Sequence, residues 1–150
     1  MKLLPMLVGS TLIALGFGAQ AQSCTCSGQG ANQITNTGNS TELTTTISGS
    51  TVCIAKSGGG WESQEQHRSG GQLWDFKQGA SSTVDPTKQI GTWAVAGNGA
   101  QSIVTYTYGA QVFPYKVCRV GTTASYGFCP TAGGSTIMAT LKPNFIGSCP

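Results

Sequence analysis

The chain has 150 residues, of which Gly, Ser and Thr supply 22, 15 and 19, while charged residues make only 9%. Hydrophobic residues at 39% are too many for a disordered polar chain, and no apolar run is long enough for a multi-span membrane protein. The net charge of +3 comes from scattered Lys and Arg; neutralising phosphates needs them clustered, so no nucleic-acid partner is expected.

At the start, Lys2 precedes the apolar stretch Leu3 to Phe17 and then Ala19-Gln20-Ala21, a small-x-small site. These are the three parts of a secretory signal, so residues 1–21 are expected to be cleaved. The apolar stretch falls short of the roughly 20 residues a spanning helix needs. The mature chain is therefore expected to be secreted, in a periplasmic or extracellular space, with no integral membrane segment. Residues 22–41 read as an irregular Gly/Ser/Thr/Asn-rich leader, because Ser27 to Ser40 carries one aliphatic residue, Ile34.

Residues 42–150 read as a single all-β domain. Short β-branched and aromatic runs alternate with glycine clusters at roughly the 8–12-residue spacing of a small barrel or sandwich. The expected strands are Leu43 to Ile47, Thr51 to Lys56, Trp61 to His67, Gln72 to Lys77, Ile90 to Ala96, Ser102 to Tyr108, Val112 to Arg119, Ser125 to Cys129 and Thr136 to Leu141. Eight or nine such strands make an antiparallel meander. Asp85-Pro86 marks the longest loop, Ser81 to Thr87. Alternation puts Val104, Tyr106 and Tyr108 on one face, likewise Phe113, Tyr115 and Val117, and Ile137, Ala139 and Leu141.

All six cysteines, Cys24, Cys26, Cys53, Cys118, Cys129 and Cys149, lie in the exported part. An even number in an oxidising compartment reads as a disulfide framework, although six cysteines allow 15 pairings. Cys118 and Cys129 flank a Gly-containing turn and are the favoured pair; Cys24 and Cys26 are then expected to reach Cys53 and Cys149. With no Cys-x-x-Cys pair and one His, no metal or other cofactor is expected.

Polar chemistry concentrates in Trp61 to Lys77, which holds three of the five acids, the sole His and two of the three tryptophans. On an extended strand Trp61, Glu65 and His67 point to one side. A two-residue turn at Gly70-Gly71 sets His67 opposite Trp74 and Glu65 opposite Phe76. A three-residue turn instead sets Glu65 opposite Asp75 and sends Trp74 to the other face. The ligand-pocket reading uses Trp61 and Trp74 as contact area and Glu65 and His67 as orienting groups; the alternative is a solvent-facing hairpin. No catalytic residue is assigned, since there is no Gly-x-Ser-x-Gly elbow and no spare cysteine nucleophile.

Gly91-Thr92-Trp93 opens a strand, and together with Ile47-Ser48-Gly49-Ser50-Thr51-Val52 and the Trp61 to Lys77 hairpin it resembles small secreted lipocalin-like, or calycin-like, barrel proteins. In such families the Gly-x-Trp tryptophan closes one barrel end, and the resemblance implies a hydrophobic-ligand role. The functional expectation is a binding or surface-interaction module for a small molecule or an extracellular macromolecule. The alternatives are an exported structural or inhibitory protein contacting macromolecules, and a small hydrolase using Glu65 and His67.

Overall fold

The computed structural model of the protein describes Cys26, residues 32–75, residues 88–144 and Cys149. The expected signal, Cys24, Phe76-Lys77 and the loop Ser81 to Thr87 lie outside the described residues. In chain order the elements are β1 (Asn32–Gln33), β2 (Asn36–Thr37), β3 (Ser40–Thr41), helix α1 (Glu42–Ile47), β4 (Ser50–Ala55), β5 (Trp61–Arg68), β6 (Gln72–Asp75), β7 (Lys88–Ala96), β8 (Ile103–Tyr108), β9 (Gln111–Val120), β10 (Ser125–Pro130) and β11 (Ile137–Pro143).

From β4 to β11 each strand pairs antiparallel with the next, and β11 returns to pair with β4. Eight described strands thus close into an up-and-down barrel. Closure decides between the barrel and the sandwich, and it removes the exposed edges that a short-stranded open sheet leaves for aggregation. The alternation expected along β8, β9 and β11 gives the interior: Val104, Tyr106, Val117, Ala139 and Leu141 are buried. They join Val52, Leu73, Trp93, Tyr126 and Phe128 in one core.

Leu43 to Ile47, expected as a strand, is helical in α1. Its three threonines favour a strand, but Leu43 and Ile47 stand four residues apart on one helix face, and both are fully buried. Each such burial stabilises by about 1.5–3 kcal/mol, more than the few tenths by which threonine disfavours a helix. The helix caps the barrel end from which β4 starts. Asn36 clamps it: its Oδ1 accepts from the Thr44 backbone N–H at 3.2 Å and its Nδ2 donates to the Thr44 hydroxyl at 2.7 Å. Arg119 of β9 adds a 3.1 Å ion pair to Glu42, half-exposed on both sides and so worth at most about 1 kcal/mol.

Part of the stretch read as a leader is held on the barrel. β1 pairs with the second half of β9, beyond the point where β8 leaves that edge. The Ile34 backbone N–H donates to the Val117 carbonyl at 2.8 Å, and the Ile34 side chain is buried beside α1 in the core.

Disulfides fasten both chain ends to the outer wall, with pairings that differ from those expected. Cys26 is bonded to Cys118 and Cys53 to Cys149; Cys129 is also disulfide-bonded, and no described cysteine is free. The favoured Cys118–Cys129 bridge is not formed, although the two sulfurs lie 3.8 Å apart. The register explains why: Cys118 faces Gly127 and Cys129 faces Lys116, so the two cysteines are diagonal rather than opposite.

Candidate functional site

The β5–β6 hairpin settles the register left open by the sequence. Ser69–Gly71 forms a three-residue 3-10 turn with Gly70 at φ 74°, a left-handed conformation that suits glycine. Glu65 therefore faces Asp75, His67 faces Leu73, and Gln66 faces Trp74. Strand alternation then turns Glu65, His67, Leu73 and Asp75 into the barrel and Trp74 outward. On the outer face the Arg68 guanidinium stacks 4.1 Å from the Trp74 ring centroid, and the Trp74 indole donates to Gln72 at 3.1 Å. Trp61 is half-buried and pairs with Ala55 beyond a register shift between β4 and β5. Glu65 and His67 thus share the interior, whereas Trp74 is on the opposite side of the sheet.

An eight-stranded barrel is just wide enough for its side chains to fill, or to hold one small ligand. Here it does one at each end. The half nearest α1 is packed solid by Leu43, Ile47, Leu73, Val104 and Val117, all fully buried. In the other half a cavity of about 200 Å³ remains, lined by Val52, Ile54, Glu65, Tyr106, Tyr108, Tyr115, Phe128 and Ile137. Its wall is apolar and aromatic apart from the Glu65 carboxyl and the phenol groups.

Two pairs of polar side chains are stacked along this interior. In the upper one the Tyr108 hydroxyl reaches both Glu65 carboxylate oxygens, at 3.0 and 2.9 Å. Burial raises the Glu65 pKa, opposed by the Tyr108 hydrogen bond and reinforced by the nearby Asp75 charge. The Tyr108 phenol is pushed up by burial and then by the Glu65 charge, so it remains a donor.

In the lower pair His67 Nε2 and the Tyr106 hydroxyl are 2.9 Å apart. His67 is fully buried, and its Nδ1 makes no hydrogen bond among the described residues. Its ring meets Trp93 edge-on, with centroids 5.5 Å apart, while the Trp93 indole donates to the Arg68 carbonyl at 3.1 Å. Burial depresses the His67 pKa to about 4, with the backbone carbonyls of Ser50 and Glu65 pulling the other way. The imidazole is therefore neutral at physiological pH. Burial also raises the Tyr106 phenol pKa. Glu65 and His67 each hold a different tyrosine, so they do not form a carboxylate–imidazole relay.

Gly91 of the Gly-Thr-Trp motif has a local structural reason. A Cβ there would run into the Thr107 carbonyl oxygen of β8, so glycine lets the two strands close up and brings Trp93 opposite Tyr106. The tryptophan that touches His67 is thus Trp93, from the motif, rather than Trp61 or Trp74. The aromatic wall of Tyr106, Tyr115 and Phe128 was legible only as core periodicity, because closure of the ring brings β5 across from β8, β9 and β10.

A second hollow, polar and about 320 Å³, lies at the α1 end beside Asn32, Gln33 and Arg119, where Arg119 is engaged by Glu42. Among the described residues no three His, Cys, Asp or Glu side chains converge as a metal site. No family model, curated protein or solved structure matches the chain.

Proposed function

We propose that the protein is an exported binding barrel that takes one small molecule into its interior, in the half away from α1. The carrying observation is the apolar cavity of about 200 Å³ whose described lining holds a single carboxylate, Glu65. Folding drives such a space to fill with side chains, as it does in the other half of the same barrel. A carboxyl in it costs desolvation that a packed apolar residue would avoid. An orienting role for a ligand gives that cost a purpose. The lipocalin-like features point the same way, since Trp93 of Gly91-Thr92-Trp93 packs inside one barrel end, beneath the cavity.

The test is an NMR titration of the oxidised protein with 2-phenylethanol, a neutral probe of one ring and a short polar tail. Saturable shifts at Val52, Tyr106, Tyr115 and Phe128 are expected. Shifts that fail to saturate, or that fall on outer-face residues such as Trp74, overturn the reading. A second reading, contact with a macromolecule, rests on the exposed apolar side chains Val112, Phe113 and Met138, at 59%, 38% and 43% exposure. It predicts that Val112→Ser and Met138→Ser weaken that contact and leave the titration unchanged.

A further inference from the structure

The size and wall of the cavity restrict what it can hold. An apolar cavity of about 150 Å³ accepts a benzene ring, so one of about 200 Å³ accommodates a single ring with a short tail. Three rings frame it: Tyr106 and Tyr115 with centroids 5.8 Å apart, Tyr115 and Phe128 at 6.2 Å, and Tyr106 and Phe128 at 6.3 Å. The pairs are inclined to one another, at 59°, 85° and 52°, and all three rings line the cavity. Ring faces carry negative electrostatic potential and attract cations.

The charge in the wall has the same sign. Glu65 faces Asp75 across β5 and β6, and no described cationic side chain pairs with Glu65. Tyr108 and Ser63 each supply a hydroxyl to a carboxylate that has about four lone-pair sites, which leaves acceptor capacity for a ligand donor. An anionic ligand would set a second negative charge beside Glu65 in a low-dielectric space, whereas an ammonium brings three donors and a charge of opposite sign.

From these observations we propose that the ligand is a small primary amine with one compact aromatic or apolar body, its ammonium on Glu65 and its body against Tyr106, Tyr115 and Phe128. This rests on the reading of the interior as a ligand site and adds the chemical class. The groups facing Glu65 are Ser63 and His67 on β5, Asp75 on β6, Tyr106 and Tyr108 on β8 and Tyr115 on β9. Between about pH 5 and 9 His67 and the three phenols keep their neutral forms. Amine binding therefore follows the acids: the ammonium favours ionised Glu65, and affinity rises with pH through the Glu65 titration.

The experiment is calorimetry on the oxidised full-length protein at pH 7.5 with three probes of one size: 2-phenylethylamine, 2-phenylethanol and phenylacetate. The amine is expected to bind about ten- to a hundredfold tighter than the alcohol, as an ion pair with ionised Glu65 replaces a hydrogen bond from a neutral donor, and phenylacetate to bind more weakly than either. Glu65→Gln brings the amine down to the alcohol and leaves the alcohol unchanged; Glu65→Asp recovers part of the preference. Equal affinity of amine and alcohol in the wild type, or a preference that survives Glu65→Gln, overturns the amine assignment while the interior site stands. Absence of binding by both amine and alcohol removes the interior site and this assignment with it. The wild-type ranking decides the matter even where a variant misfolds.

Discussion

Acidification tests the interior of the barrel through His67. The folded protein protonates this imidazole only near pH 4, whereas an ordinary imidazole protonates near 6.5. Between those values the unfolded chain holds more protons, so stability increases with pH across this window. The contribution is fully present above pH 6.5 and mostly lost by pH 4. Each pKa unit is worth about 1.4 kcal/mol, so the whole interval corresponds to about 3 kcal/mol, within the size of a small domain's entire stability. Glu65 acts in the opposite sense. Its pKa is raised in the fold, so its contribution is present below its ordinary value of 4.5 and is lost as pH rises through the raised one. Wild type therefore shows the difference between the two effects. Urea midpoints for wild type, His67→Gln and Glu65→Gln between pH 4 and 7 separate them. Glu65→Gln is expected to lose stability more steeply on acidification than wild type, and His67→Gln to lose less or even gain. The slope is read, not the level, so the cost of either substitution at pH 7 does not intrude. A wild-type slope in His67→Gln refutes the argument.

Three other perturbations test separate parts of the fold. Tyr108→Phe strips Glu65 of the hydroxyl held at 2.9 to 3.0 Å; it is expected to cost about 1–3 kcal/mol in a denaturant melt at neutral pH and to raise the Glu65 pKa further, read by carboxyl NMR. Gly91→Ala drives a methyl into the Thr107 carbonyl; because backbone must shift, a loss of about 1–3 kcal/mol is expected, with changed near-ultraviolet circular dichroism from Trp93. The double change Cys53→Ser with Cys149→Ser opens a link spanning 96 residues of sequence and is expected to lower stability by about 2–5 kcal/mol; a midpoint unchanged from the oxidised wild type counts against it.

The ring of strands was legible because each carries its own local signal. Ile103 to Tyr108 and Ile137 to Leu141 alternate with period two and are flanked by residues that turn. What escaped depends on partners far along the chain. Leu43 to Ile47 has the composition of a strand, and only the barrel end that its Leu43 and Ile47 enter makes it a helix. Ile34 looked isolated in a polar stretch because its neighbours in the core lie on other elements. The hairpin at Gly70 was ambiguous by one residue, and that residue decided whether Trp74 or Asp75 shared a face with Glu65. The pairing of Glu65 with Tyr108 links residues 43 apart in sequence, and no spacing rule connects them. For the cysteines, adjacency of Cys118 and Cys129 in space was a correct inference from the turn between them, but diagonal placement left Cys118 to Cys26.

Within the barrel, the ladder between β11 and β4 is the one contact made by strands that are not successive. It consists of four residue pairs, from Thr140 with Cys53 to Pro143 with Ser50. A chain that meets its own last strand there meets the last strand of a second copy through the same four pairs, and concentration alone decides which, the usual route to exchanged dimers. Cys53 stands in that ladder, and its bond to Cys149 lies only a few residues beyond the end of β11. Oxidation after the ring has closed on itself makes the choice permanent. Protein refolded concentrated and reduced, then oxidised, is expected to carry that bond between copies, read as a dimer that only reductant separates in denaturant. The bond preserves a record of whether each molecule closed alone.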